Sequence, residues 1–424
     1  MNGNREIVEE ARRILRAGSI CDECLGRAFG RLGSGLTNAE RGRALRIVLE
    51  MEGERKEGEG CWVCDGLFER VGEWADRASS LASGIEFRTY LFGVKLSPRI
   101  REMEGLFLER FPTGAEEPLK HAFNREVGKG FEERKSEVTV DFSDPHLSFL
   151  IDLAREEITL RIASLYIYGR YRKLIRGIPQ TRWPCRKCRG RGCEACGFTG
   201  KQYLESVEEL IAPPLVEAAR AASFRMHGAG REDIDARMLG EGRPFVMELL
   251  SPRVRSLDLG ALRDEVNRSA SGKVEVSSLS FAERSLVASL KETRARKRYR
   301  VEIELADPVR ERDFLSALED LVGEIEQRTP KRVAHRRSDL VRRRIIHAAE
   351  GRLIDPTHAE AEFLTDGGLY VKELVSGDDG RTVPSLADRL GVEAVVTALD
   401  VLAVISPDFP EVLWPDLNTT SRLT

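Results

Sequence analysis

Hydrophobic and polar positions along this chain change period several times. From Asn4 to Ala17, Ile7, Val8, Ala11, Ile14 and Leu15 recur at helical spacing among charges, predicting an amphipathic helix. Another helix is predicted from about Asn38 to Glu50. Beyond Phe68 the pattern mixes: strands over 84–96, 138–142, 147–153 and 157–168, and helices over 100–111 and 117–131. A helix follows over 213–223. Residues 228–253 then read as a turn, a strand with Ile234, Ala236 and Met238 alternating against Asp235 and Arg237, a second turn at 240–244, and a returning strand from Phe245. Downstream, helices are predicted over 262–270, 282–291 and 314–325. Strands are predicted over 274–281, 294–305 and 367–375, and one within 353–364. Strands outnumber helices slightly, so the fold class is α/β or α+β.

Asp233 falls between flexible glycines and a strand, where rigid backbone can hold a carboxylate at a cleft. The plainer reading is a carboxylate capping a turn.

At 424 residues the chain is long enough for several domains. Its net charge of −3 excludes a uniformly basic nucleic-acid coat, so any RNA footprint must be local. One local cluster stands out: no acid occurs from Arg161 to Gly192, while Arg170, Arg172, Lys173, Arg176, Arg182 and Arg186 accumulate with Tyr166, Tyr168, Tyr171 and Trp183 interleaved. Cations that meet phosphates and rings that stack on bases are expected there. The first helix lacks the apolar core of a signal peptide, and Val392–Ile405 is broken by Glu393 and Asp400 and too short to span a bilayer. A cytoplasmic protein with no membrane partner is expected.

All eight cysteines fall in CxxC pairs. Cys21, Cys24, Cys61 and Cys64 predict one structural Zn²⁺ site, and Cys185, Cys188, Cys193 and Cys196 a second. Four thiolates satisfy a tetrahedral ion and leave no open position.

Gly-Arg-Glu-Asp at 230–233, Asp-x-Arg-x-Leu-Gly at 235–240 and Gly-Arg-Pro-Phe at 242–245 resemble the core of the archaeal and eukaryotic tRNA pseudouridine synthases that act on the T loop. Lys297-Arg-Tyr299 is similar to a second shared segment, and Gly368-Leu-Tyr370-Val-Lys372 to a third, with Leu369 where Thr is common. The basic segment Lys331–Arg344 matches the family's His-Arg-Arg-x-Asp element. Residues 140–145 and 167–183 resemble the end of a THUMP domain, a tRNA-binding module.

The resemblance implies a catalytic domain with a mainly antiparallel mixed sheet flanked by helices. It also implies isomerisation of uridine 54, uridine 55 or both (tRNA numbering), with no organic cofactor. Asp233 would carry the chemistry, with Asp235 as its nearest rival. Tyr299 would stack on the target base and Lys372 would pair with the catalytic carboxylate. Arg231 would wedge or hold phosphate as the uridine is extruded, with Tyr370 near the substrate. The implied division is a zinc module at 1–67, a THUMP-like domain at 68–183, a zinc knuckle at 184–201 and a catalytic domain at 202–424, acting as a monomer on tRNA. Other THUMP-containing enzymes need a nucleotide or cofactor loop, and no GxGxxG after a strand or GxxxxGK[ST] is present. The competing reading is a non-catalytic, zinc-stapled tRNA-binding or chaperone protein.

Overall fold

A computed structural model describes residues 2–54, 60–293, 295–336, 338–410 and 412. Arg294 of the predicted 294–305 strand and Arg337 of the basic segment lie outside the described residues. The chain separates into two compact units, Met1–Ala163 and Ser164–Thr424, not the four parts read from the sequence.

The first unit contains α1 (Asn2–Ala17), α2 (Asp22–Arg27), α3 (Asn38–Met51), α4 (Val71–Leu81), β1 (Thr89–Lys95), α5 (Pro98–Arg110), α6 (Leu119–Arg134), β2 (Thr139–Val140), β3 (Leu147–Asp152) and β4 (Glu157–Ile162). Its four strands run in the order β2-β1-β3-β4. Cys24, Cys61 and Cys64 pack in the same core as Trp74, Phe123 and Phe149, so the cysteine module and the sheet that follows share one interior. Local chemistry sets the helix starts: Thr37 and Glu40 form a reciprocal capping box on α3, and Ser97 caps α5 ahead of Pro98.

The second unit begins with β5 (Leu165–Lys173), α7 (Val207–Ala219), β6 (Ser223–Gly228), β7 (Arg237–Leu250) and α8 (Leu259–Ser269). It continues through β8 (Val274–Val276), β9 (Ser280–Ala282), α9 (Arg284–Glu292), β10 (Arg296–Leu305), α10 (Glu311–Glu319) and β11 (Gly323–Arg328). It closes with β12 (Val341–Asp355), β13 (His358–Thr365), α11 (Val371–Ser376), β14 (Thr382–Val383), α12 (Leu386–Leu390) and β15 (Ala394–Ile405). Nine strands follow the path β14-β11-β12-β13-β10-β15-β7-β5-β8, with β6 beside β7 and β9 beside β5. The pairing of β15 with β7 is parallel at Asp400–Arg237 and Val401–Met238, while β10 pairs antiparallel with both β13 and β15. This is the mainly antiparallel mixed sheet that the family resemblance implies.

Four readings from the pattern are corrected. The strand expected over 157–168 is two strands, β4 and β5, in different sheets, which moves the boundary from 183 to 163. The turn expected at 240–244 does not form, and β7 runs straight through it. Gly240 is there for a different reason: its φ is +54°, and a Cβ would lie 2.2 Å from the Leu402 carbonyl oxygen, so only glycine allows the β15 backbone this close. The helix expected over 314–325 ends at Glu319, and β11 follows. The strand expected over 367–375 is a turn followed by α11.

Candidate active site

Asp233 lies on the loop 229–236 joining β6 to β7, and the surrounding sequence is spent on fixing that loop. Lys173, fully buried at the end of β5, donates from Nζ to the carbonyl oxygens of Ile178 (3.0 Å), Asp233 (3.2 Å) and Ile234 (3.1 Å). Burial holds its ammonium below the usual lysine range. Glu232, also buried, accepts from Arg243 Nε at 2.8 Å and from the Tyr171 hydroxyl at 2.9 Å. Arg243 Nη1 donates to Ala229 O (2.7 Å), and Gln180 Nε2 to Gly230 O (3.0 Å). Neighbouring residues thus face opposite ways: Glu232 locks the loop from inside, while the Asp233 side chain remains 39% exposed.

The Asp233 carboxylate accepts from Arg332 Nη1 at 3.1 Å. Arg332 is itself held by Glu373, whose Oε1 lies 2.6 Å from Nε, and its guanidinium sits 5.8 Å from the Tyr370 ring centroid. Burial works against the arginine's charge, but the Glu373 carboxylate outweighs it and holds the guanidinium above its usual range. Lys372, expected to pair with Asp233, donates instead to Asp235 Oδ2 at 2.6 Å. Burial there opposes ionisation, yet the ammonium keeps the Asp235 carboxyl below its usual range. Helix geometry explains the exchange. Consecutive residues on α11 point about 100° apart, so Glu373 turns inward to Arg332 while Lys372 points to Asp235.

Asp233, Arg332 and Lys372 line a cavity of about 400 Å³ together with Arg231, Lys297, Tyr299, Arg342, Arg344, Leu369 and Tyr370. Tyr299 on β10 is buried, and burial pushes its hydroxyl up to about 12; the Arg243 charge pulls it down and the Asp233 charge pushes it up. It stays neutral through the physiological range. Leu369 is also buried, so the departure from Thr supplies an apolar wall. A smaller cavity of about 240 Å³ adjoins, shares Arg231, Asp233 and Lys372, and is walled by Trp183, whose ring centroid lies 5.6 Å from the exposed Arg231 guanidinium.

The basic cluster divides in two, correcting the expectation of a continuous RNA surface. Arg170, 8% exposed, donates to Gly242 O and Val404 O. Arg172 reaches Gly240 O and Glu275. Arg176 donates to Asp235 O and Leu399 O and pairs with Asp400 at 2.7 Å. With Lys173, these cations brace β5, β7, β15 and the Asp233 loop. Buried Lys173 and Arg170 have no route to phosphate, and Tyr168 and Tyr171 are buried too. Only the second half of the stretch, with Arg182, Arg186, Lys187, Arg189 and Arg191, is exposed.

Each cysteine set converges, with one sulfur from each residue of a set within 4.8 Å of the others. Cys21 and Cys64 sulfurs are 3.7 Å apart, Cys188 and Cys196 are 3.9 Å apart, and Cys193 and Cys196 are 3.8 Å apart. Zn–S bonds of about 2.3 Å imply a tetrahedral edge of about 3.8 Å, whereas a disulfide needs about 2 Å. Backbone N–H groups of Gly192 and Gly200 donate to the Cys188 and Cys196 sulfurs, as thiolates at a metal require.

A family model described as "Pus10, C-terminal" matches residues 166–405, and one described as "Pus10 THUMP domain, archaeal" matches residues 74–152. The tRNA pseudouridine synthase Pus10 of Methanothrix thermoacetophila is 48% identical, covering 94% of each chain.

This chain belongs to the Pus10 family.

A second Pus10 tRNA pseudouridine synthase, from Methanocaldococcus jannaschii, is 40% identical over 95% of each chain. Among solved structures, a Cbf5-Nop10-Gar1 complex aligns to 46% of this chain and 44% of that chain at 18% identity, with a TM-score of 0.30, too low to define a shared fold. The Pus10 models meet this chain on either side of residue 163, where the two units part. Sequence reasoning missed Arg332 and Glu373 in this Pus10 site. The available signal was Lys331–Arg344, a motif with no role assigned.

The two cations can be separated by mutation. Arg332→Met is expected to slow single-turnover conversion by about 10²–10³-fold, because it strips the carboxylate of its partner. Lys372→Met should cost about tenfold or less, acting only through Asp235. Equal losses would return Lys372 to the role the family alignment implies.

Proposed function

We propose that this protein converts uridine to pseudouridine in the T loop of tRNA, at position 54, 55 or both, with Asp233 as the catalytic carboxylate. The observation that carries the reading is a carboxylate on a locked loop, charge-paired with Arg332, at a cavity whose floor is the buried Tyr299 ring. The reaction breaks the N1–C1′ bond, turns the uracil and joins C5 to C1′; no atom is gained or lost, so no organic cofactor is required. Asp233 either attacks C1′ or takes the C2′ proton, and Arg332 keeps it ionised for both. Tyr299 stacks on the extruded base and excludes water. Its neutral hydroxyl stands ready to hydrogen-bond near C5.

Arg231, exposed beside Trp183, suits a phosphate or a displaced base, and Tyr370 closes the wall behind Arg332. Zn²⁺ fits both cysteine sets by donor type and sulfur spacing, and with four ligands in each it serves structure. No helix among the described residues is long and apolar enough to cross a membrane. We assign a cytoplasmic monomer acting on tRNA.

The test is base-resolved pseudouridine mapping of an unmodified tRNA transcript after incubation with the zinc-loaded protein. Conversion confined to T-loop uridines is expected. Tight tRNA binding with no uridine converted would favour the non-catalytic binding protein.

A further inference from the structure

The cavity contains one cation that the roles above leave unused. Lys297 lies two residues before Tyr299 on β10, so both side chains project from the same side of the strand. Its side chain lines the cavity, and it makes no hydrogen bond or ion pair among the described residues. Its place is set by Gly230: a Cβ there would lie 3.1 Å from Lys297 Nζ and 3.3 Å from Arg243 Nη1. The missing side chain, at a φ of +80°, makes room for two cations against the catalytic loop.

The nearest acid does not need Lys297. Glu232 is already neutralised by Arg243 and hydrogen-bonded by Tyr171. Asp233 faces Arg332 from across the cavity, and Arg342 and Arg344 line the β12 side without an acid partner among the described residues. A half-buried ammonium with no counter-ion, kept beside the reacting groups, is costly unless an anion arrives.

The reaction makes such an anion. When the N1–C1′ bond breaks, both electrons stay with N1, and the charge spreads over O2 and O4 of the detached uracil. This holds whether Asp233 bonds to C1′ or takes the C2′ proton. We propose that Lys297 is a further catalytic residue, whose ammonium holds the detached uracil as an anion while the ring turns to present C5. No proton moves to or from Lys297. The charge disappears when C5 bonds to C1′ and the C5 proton is lost, N1 ending protonated. The proposal rests on the synthase reading. Burial and the neighbouring Arg243 push the Lys297 ammonium down to about 8, so it titrates near the working pH. Tyr299, held at about 12, does not titrate in that window, and the arginines keep their charge.

Single-turnover rates on full-length tRNA transcript decide the matter, with wild type, Lys297→Met and Lys297→Arg compared for tRNA affinity and melting temperature. Lys297→Met is expected to slow conversion about 10²-fold or more with affinity within about threefold, as when one preorganised donor to a developing anion is removed. Lys297→Arg should restore much of the rate. The wild-type rate should fall above about pH 8, as the ammonium loses its proton, and the Arg variant should move that fall to higher pH. Lys297→Met within threefold of wild type overturns the proposal, as does an Arg variant no faster than Met. Should the Met variant fail to fold, the pH comparison decides alone, and coincident profiles overturn it. An inactive wild type would instead sink the synthase reading.

Discussion

Asp233→Asn is expected to lower the single-turnover rate of T-loop conversion by about 10⁴-fold or more, equivalent to about 5.5 kcal/mol of transition-state stabilisation, while tRNA affinity changes by less than about threefold. Asparagine matches the carboxylate in volume and still accepts from Arg332, so geometry and binding survive. It can neither attack C1′ as an anion nor take a proton. Folding should be unaffected, because the side chain is 39% exposed and Arg332 keeps its buried Glu373 partner. Rate and affinity must therefore be measured on the same preparation. A variant converting within tenfold of wild type would shift the role to Asp235, the other carboxylate on this loop, which is fixed by Lys372.

Removing the metal expected at the first cysteine set should be the largest stability effect. Cys24, Cys61 and Cys64 are buried within the core of the first unit, and structural zinc in small modules contributes on the order of 10 kcal/mol. That is comparable with the whole stability of an ordinary domain. Cys24→Ala, or chelation, should therefore unfold the first unit at ambient temperature, seen as loss of the lower of two melting transitions. Zinc content should fall from two equivalents to one in the Cys24→Ala protein. Cys188→Ala should remove the other equivalent at much smaller cost, because that set sits in a surface knuckle between Pro184 and Lys201 rather than in a core. Wild type without zinc, or Cys24→Ala melting like wild type, would refute the assignment.

Much of the architecture could be read before the structure because it is encoded locally. The capped helices α3 and α5 and the strands β1 and β3 follow from residue periodicity and end chemistry within a few positions. The CxxC pairs imposed both sulfur clusters, since ligand spacing is a short-range property. Asp233 could be placed on a loop before a strand for the same reason. Errors arose where one local signal serves two tertiary purposes. Gly240 and Gly242 look like a turn, but Gly240 admits the Leu402 carbonyl to a continuous strand. Val371–Ser376 carries strand-like alternation yet folds as a helix, its Val371, Leu374 and Val375 joining the core.

The amino-acid sequence alone therefore determined the family, the two cysteine clusters, the mixed sheet class and the identity of the candidate carboxylate. Each of these is written in residue types at short spacing. Only the tertiary structure decided which charges meet. Arg332 reaches Asp233 across 99 residues of chain, Lys372 reaches Asp235 across 137, and Lys173 and Arg170 turn from an expected RNA surface into the interior. A charged side chain has no periodicity that announces its partner. Its fate is set by which backbone carbonyls and carboxylates the finished sheet brings within about 3 Å.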